Sequence, residues 1–399
     1  MNTKHPRPLD GIRVIEVGQL LAGPWTGTLL AYYGAEVIKV EPPKTGDPIR
    51  GWRILDESGT AYWWRSLGRN KRSVTANLRT AAGRKIVAEL MQGADVVIEN
   101  FKPGTMEKWG LGPADFAATN PELIFARISG YGQSGPNASK PGYASVTEAY
   151  SGFRYVNGFP DAAPVRPNLS IGDTIAGMHA FIGVLLALQA RQNIDSVQGQ
   201  VIDVALFEGM FNLMEGMVPE FSGAGVIREP SGSTITGIVP TNTYLCGDDK
   251  HVVIGANGDS IFQRLMQAMG KPDIASDPRY ADNAGRVTHQ DYIDGLIAVW
   301  TRSLPAAEVI RTLEDADVPV GPIYNVADMM QDEHFKARQL FEQPPGCDIE
   351  IPAITPKLSA TPGYTEWAGG PVGTDTDALL SSLGYDQTQI DQLRAAGDI

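Results

Sequence analysis

The chain has 399 residues, 43% hydrophobic and 20% charged, with a formal net charge of −13; its length passes the roughly 250–300 residues at which one core stops growing, which predicts two domains. The acidic balance excludes nucleic acid or an anionic membrane as a partner, since both need a broad basic face, but it allows a small polyanion held by a local group of Lys and Arg. Cys246 and Cys347 are isolated and the five histidines are scattered, which excludes a disulfide framework and a thiolate or histidine metal site and points to a reducing compartment.

In chain order, the N-terminus MNTKHPRPLDG has no apolar signal core, and no apolar run approaches about 20 residues without polar interruption; the expected location is the cytoplasm. Ile12–Val17 reads as a β-branched strand ending at Gly18, followed by a helix Trp25–Tyr33 with Pro24 at its first turn. Gly34–Glu41 is a glycine stop and a second strand. This is the opening of a parallel α/β domain. GxGxxG is absent, which argues against a nicotinamide or flavin site.

A polar, glycine-rich stretch Pro42–Gly68 leads to the charge run Arg69–Arg72, which is either solvated loop or a phosphate contact at the sheet mouth. A strand Ser73–Leu78 and a helix from Thr80 to Gln92 follow. Asp95–Glu99 is a buried strand, and Asn100–Gly104 turns off its carboxyl end, where open α/β sheets bind ligands. Leu123–Ile128 is a further strand with a glycine loop, Ser129–Pro136, and Tyr143 opens a helix to Arg154.

Gly172-Asp173 then precedes an apolar run of helical length. Asp173 fits an N-cap, where the helix dipole favours its charge. It also fits a nucleophile beside glycines that admit a substrate. A long apolar helix is expected over Val204–Phe221. The composition then turns rich in Gly, Ser, Thr and Pro, and strand His251–Ile254, loop Gly255–Gly258 and helices at 259–269, 287–302 and 306–316 read as α+β. The scheme is a large Rossmann-like α/β domain over 1–221, a linker 222–243, a small α+β domain 244–324, a linker 325–342 and a segment 343–399 returning to the large domain.

The runs Pro8–Val14, Leu21–Pro24, Gly34–Glu41, Asn70–Ser73, Glu99–Gly104, Gly130–Pro136 and Gly172-Asp173 resemble, in order and spacing from about Pro8 to Gly321, the family III CoA-transferases. The resemblance implies a CoA-transferase that carries CoA from an acyl-CoA donor to a small carboxylic acid. No cofactor is tightly bound; the coenzyme A thioester is a substrate. The aspartate matching Asp173 is the family's covalent nucleophile, passing through an aspartyl-acyl anhydride and an aspartyl-CoA thioester. A carboxylate of ordinary pKa, about 3.9, is ionised at neutral pH and needs no base; the protein must supply alignment, oxyanion stabilisation and exclusion of water.

The resemblance also carries CoA contacts to Leu21 and Ala22 by backbone, Arg79, Asn100, Phe101, Lys102 and Lys108, with Tyr143 near the thioester. Gly255, Asn257 and Gly258 match a mobile glycine loop over the intermediate; an Asn-Gly turn explains them equally well. Two family cations are missing, at Pro42 and Pro141, and Arg72 or Lys140 are the candidates to replace them. The family assembles as interlocked homodimers. Pro164–Asn168 most resembles the transferases of dicarboxylates, for which Arg166 or Arg50 would meet a second carboxylate. The rival readings are an α-methylacyl-CoA racemase, whose histidine falls where this chain has Tyr143, a poor general base, and a non-catalytic CoA-binding protein. His179, inside the Asp173 helix, reads as a packed residue.

Overall fold

The computed structural model of the chain describes residues 5–399; Met1–Lys4, the start of the stretch read for a signal core, lie outside it. Two compact units are present. The larger runs through Phe153 and takes in Pro167–Glu215 and Glu333–Ile399; the smaller comprises Arg154–Arg166 and Gly216–Asp332.

The larger unit alternates strand and helix: β1 (Arg13–Glu16), α1 (Ala22–Tyr32), β2 (Glu36–Glu41), α2 (Tyr62–Leu67), β3 (Lys71–Thr75), α3 (Ala81–Gln92) and β4 (Val96–Glu99). Two short helices, α4 (Thr105–Lys108) and α5 (Pro113–Phe116), precede β5 (Ile124–Ser129). Then come α6 (Ala144–Tyr150), α7 (Phe153–Val156), all but its first residue in the smaller unit, and, back in the larger unit, α8 (Ile171–Asn193), β6 (Val201–Ala205) and α9 (Leu206–Phe211). The six strands form one all-parallel sheet in the order β3-β2-β1-β4-β5-β6. The order reverses between β1 and β4, and such a switch point opens a crevice at the carboxyl ends of both strands.

Both faces of the sheet are covered, as the apolar strand interiors require. Val14, Val37, Val96 and Ile124 pack with α1 and with Ala176, Ala180, Val184 and Ala187 of α8. Ile15, Ile38, Val97 and Phe125 pack with Ile86 and Val87 of α3 and with Leu379, Leu380 and Ile390 from the C-terminal segment. By length and composition α8 could cross a bilayer; Asp173, Thr174, His179 and Gln189 interrupt its apolar run, and one of its faces is core.

The smaller unit has its own core around Tyr244, Ile254, Phe262, Ile297 and Val309. Its sheet is antiparallel, β7 (Thr241–Leu245), β8 (His251–Gly255) and β9 (Val320–Pro322) in sequence order.

Two element expectations change. The long helix over 204–221 is instead strand β6, then α9, then a separate helix Met217–Ala224; Glu215 between them has a left-handed backbone (φ 45°) that ends the helical path. Asp173 is the third residue of α8, with Ser170 in the N-cap position and no side-chain cap from it.

Candidate active site

The turn from β1 into α1 is held at every step. The Lys39 ammonium donates to the Gly18 carbonyl. The Asn100 amide accepts from the Gln19 N–H and donates to the Gln19 carbonyl, both at 2.7 Å. The Asp47 carboxylate accepts from the Leu20 N–H at 3.0 Å. Leu20 itself is left-handed (φ 64°), a conformation a non-glycine residue keeps only when its surroundings over-determine it. Gly18 is glycine because a Cβ there would stand 2.8 Å from the Asn100 Oδ1.

The clamps are themselves anchored in buried charge. Glu16 at the end of β1 meets Lys39 at 3.1 Å and Lys71 at 2.8 Å, and Lys39 also meets Asp47 at 2.7 Å. Burial lowers both lysines, but Lys39, between two carboxylates, is held above its ordinary range. For Lys71 burial, with the Lys39 charge nearby, outweighs the pull of Glu16 and the weaker one of Asp47, and its ammonium is pushed down to about 8. Alongside, the Arg50 guanidinium grips Glu41 through Nε and Nη2, both at 2.7 Å, and stacks on Trp64. Burial would raise the Glu41 carboxyl, yet Arg50 holds it below the usual range. Arg50 is therefore engaged inside the fold and is not positioned for a substrate carboxylate.

Two clefts are lined in part by this turn, one at Gln19 and the other at Leu21. One, of about 590 Å³, gathers Gln19 after β1, Pro42 to Thr45 after β2, Ala76 to Arg79 after β3, and Phe101 with Trp109 after β4. Phe101 meets Trp109 edge to face at 5.1 Å. The Phe101 N–H donates to Glu99, whose other oxygen takes Arg127. The other cleft, of about 580 Å³, is lined by Leu21, Trp25, Tyr62, Trp63 and Thr174 among others. The Trp25 indole N–H is buried with no hydrogen-bond partner among the described residues.

The expected site residues fall into groups. Leu21 and Ala22 are buried at the switch point, where backbone is what they offer. Arg79 and Phe101 share the first cleft, whereas Asn100 is turned onto Gln19. Lys102, Lys108 and Lys140 are exposed. Arg72 pairs with Glu36 at 2.7 Å and Asp375 at 3.6 Å on the outer edge of the sheet, and it lines neither cleft. Tyr143 is 71% exposed at the start of α6. The next residue, Ala144, reaches within 3.1 Å of where a Cβ on Gly172 would be, so the Tyr143 and Asp173 segments meet. Asp173 is half-buried in the first turn of α8, and its neighbour Thr174 lines the second cleft. The His179 Nδ1 lies 2.9 Å from the Ile175 carbonyl, the packed role expected of it.

In the smaller unit, neither Gly255 nor Gly258 has positive φ, and a Cβ on Gly255 would meet nothing within 4 Å. An Asn-Gly turn therefore does not explain them. Buried Arg286 fixes this loop by donating to the carbonyls of Val239, Tyr280 and Asn257 and to Asp259. Sequence reasoning missed Lys39, Asp47, Glu16, Trp109 and Arg286. The first three carried a signal, since charges within or beside otherwise apolar parallel strands need buried partners.

A model of CoA-transferase family III matches residues 9–376. The chain is 46% identical, over 95% of both sequences, to a succinyl-CoA–D-citramalate CoA-transferase of Chloroflexus aurantiacus. It is 35% identical, over 84% of each, to a succinate–glutarate CoA-transferase of Agrobacterium fabrum. Among solved structures, a CAIB/BAIF family protein from Brucella suis superposes with a TM-score of 0.85 at 32% identity, covering 95% of this chain and 100% of that one. The chain belongs to CoA-transferase family III and is a CoA-transferase.

Proposed function

We propose that the chain moves CoA from a succinyl-CoA-type donor to a small dicarboxylate, with Asp173 as covalent nucleophile. The observation that carries this reading is the place of Asp173, half-buried in the first turn of α8 with the next residue lining an aromatic cleft. The helix N-terminus favours the ionised carboxylate there. The dicarboxylate tilt is supported by the relatives named for citramalate and glutarate.

The Asp173 carboxylate attacks the donor thioester carbonyl, and the C–S bond breaks to give an aspartyl-acyl anhydride and CoA thiolate. The thiolate attacks the aspartyl carbonyl, giving aspartyl-CoA and releasing the donor acid. The acceptor carboxylate then displaces the thiolate, which finally attacks the acceptor acyl carbon, forming acceptor-CoA and freeing Asp173. No net proton is exchanged, in keeping with a nucleophile that needs no base.

The first cleft suits the nucleotide end of CoA: Phe101 and Trp109 offer apolar aromatic surface, and Arg79 and Lys44 sit on its rim as cations for phosphate. Lys102, Lys108 and the backbone at Leu21 and Ala22 flank the path, and Tyr143 stands near the thioester. The second cleft, with the unpartnered Trp25 N–H as a donor, suits the acid. A homodimer is part of the proposal, supported by Met178, Ile182 and Leu186, which recur at helical spacing on α8 and are exposed.

Asp173→Ala is expected to abolish transfer from succinyl-CoA to an acceptor acid while CoA still binds by calorimetry. Rapid quench of the unaltered enzyme with acyl-CoA alone should leave an acyl or CoA adduct on the peptide bearing Asp173. Near-normal turnover in the variant would end the nucleophile assignment.

A further inference from the structure

The mechanism leaves Glu148 on α6 without a role, although its side chain is fully buried within the larger unit. Its Oε1 accepts the Gly172 N–H at 3.3 Å, from a residue 24 positions away. The first-turn N–H groups of a helix have no partner within the helix, and Ser170 at the N-cap supplies no side-chain cap to α8. Glu148 takes up one of those groups, on the residue immediately before Asp173.

The glycine in the Gly-Asp pair has its reason here. A Cβ at Gly172 would lie 3.2 Å from both the Cγ and Oε1 of Glu148 and 3.1 Å from the Ala144 Cβ. Gly172 is also buried. Its missing side chain admits Glu148 and the start of α6, which replaces the sequence reading in which the glycine admits a substrate.

We infer that Glu148 is the positioning residue for Asp173: by holding the Gly172 N–H it fixes the first turn of α8, and so the direction in which the Asp173 carboxylate leaves the backbone. The inference rests on the proposed role of Asp173. A nucleophile must stand at near-attack distance, and a displacement of about 1 Å can lower the rate about 100-fold. The contact also ties α6, which begins just after Tyr143, to the segment carrying Asp173.

Two substitutions separate position from charge. Glu148→Gln keeps an acceptor oxygen in place and removes the charge; Glu148→Asp keeps the charge and draws the oxygen back by one methylene. Positioning predicts that Glu148→Asp lowers kcat about tenfold or more with the KM for acyl-CoA changed less than about threefold, while Glu148→Gln stays within about threefold of the unaltered enzyme. The reverse order, or a loss carried by KM, would overturn the inference.

Gly172→Ala supplies an independent arm, because its new methyl group must displace Glu148 or α6. It should lower kcat similarly, and combining it with Glu148→Asp should add little, since both break one contact. Multiplying losses would count against the shared contact. Circular dichroism and thermal midpoints establish that each variant is folded. Asp173→Ala in the same assay keeps the two readings apart. Turnover in that variant removes the nucleophile itself; an inactive Asp173→Ala beside a fully active Glu148→Asp removes only the role of Glu148.

Discussion

Asn100 grips the backbone of Gln19 with both ends of its amide, so a single atom exchange tests what the grip does. In Asn100→Asp the carboxylate can still accept from the Gln19 N–H, but its second oxygen faces the Gln19 carbonyl with no proton between them. That repulsion, together with the lost bond, is expected to cost about 1–3 kcal/mol and to loosen the turn that lines both clefts. The expected outcome is a rise of about tenfold in the KM for acyl-CoA with kcat within a few-fold; an unchanged KM by initial-rate measurement would show that the clamp does not shape the CoA site. Asn100 was legible as a ligand-turn residue because it follows a buried strand, but its partner was not, since the two lie 81 positions apart. Arg50 illustrates the converse. Its charge was legible and suggested a substrate contact, while Glu41 and the Trp64 face that hold it emerge only from folding.

At the level of elements, β2 carries Lys39 and Glu41 within a buried strand and depends on their partners to stay there. Arg50 holds the Glu41 carboxyl below its ordinary 4.5. A carboxyl with a lowered folded-state pKa contributes stability above its unfolded pKa and loses it as pH falls through the folded value. Acidification below 4.5 should therefore destabilise the enzyme in part through Glu41. Glu41→Gln should be less stable by about 3–5 kcal/mol at neutral pH, because it strands Arg50 in the interior. It should also lose less on acidification than the unaltered chain; urea midpoints at neutral and acidic pH measure both, and parallel losses would refute the linkage. The first five strands were legible from their β-branched runs and glycine stops. β6 was not, because Val201–Ala205 flows without a break into an apolar helix, and only its pairing with β5 distinguishes it.

At the scale of the whole molecule, the smaller unit resumes at Gly216, whereas the composition shift to Gly, Ser, Thr and Pro led the sequence reading to a linker over 222–243. The assignment of Arg154–Arg166 to the smaller unit was not legible, because that stretch is separated in sequence from the rest of the unit it joins. The larger unit is completed from downstream: Asp375 accepts the Ser73 N–H, Thr376 meets Thr75, and Leu379, Leu380 and Ile390 close one face of the sheet. A chain ending at Asp332 should keep cooperative unfolding of the small core while its parallel sheet is digested by protease; survival of both units would show that the downstream segment is dispensable. The same interleaving sets an order of events at the ribosome. The smaller unit, whose last residue is Asp332, can close while synthesis is still under way, whereas the sheet that holds both clefts must wait for strands made early to meet helices made late. Through that interval the sheet face that Leu379, Leu380 and Ile390 complete is covered by α3 and its neighbours alone, and that is the stage at which a chaperone would have most to do.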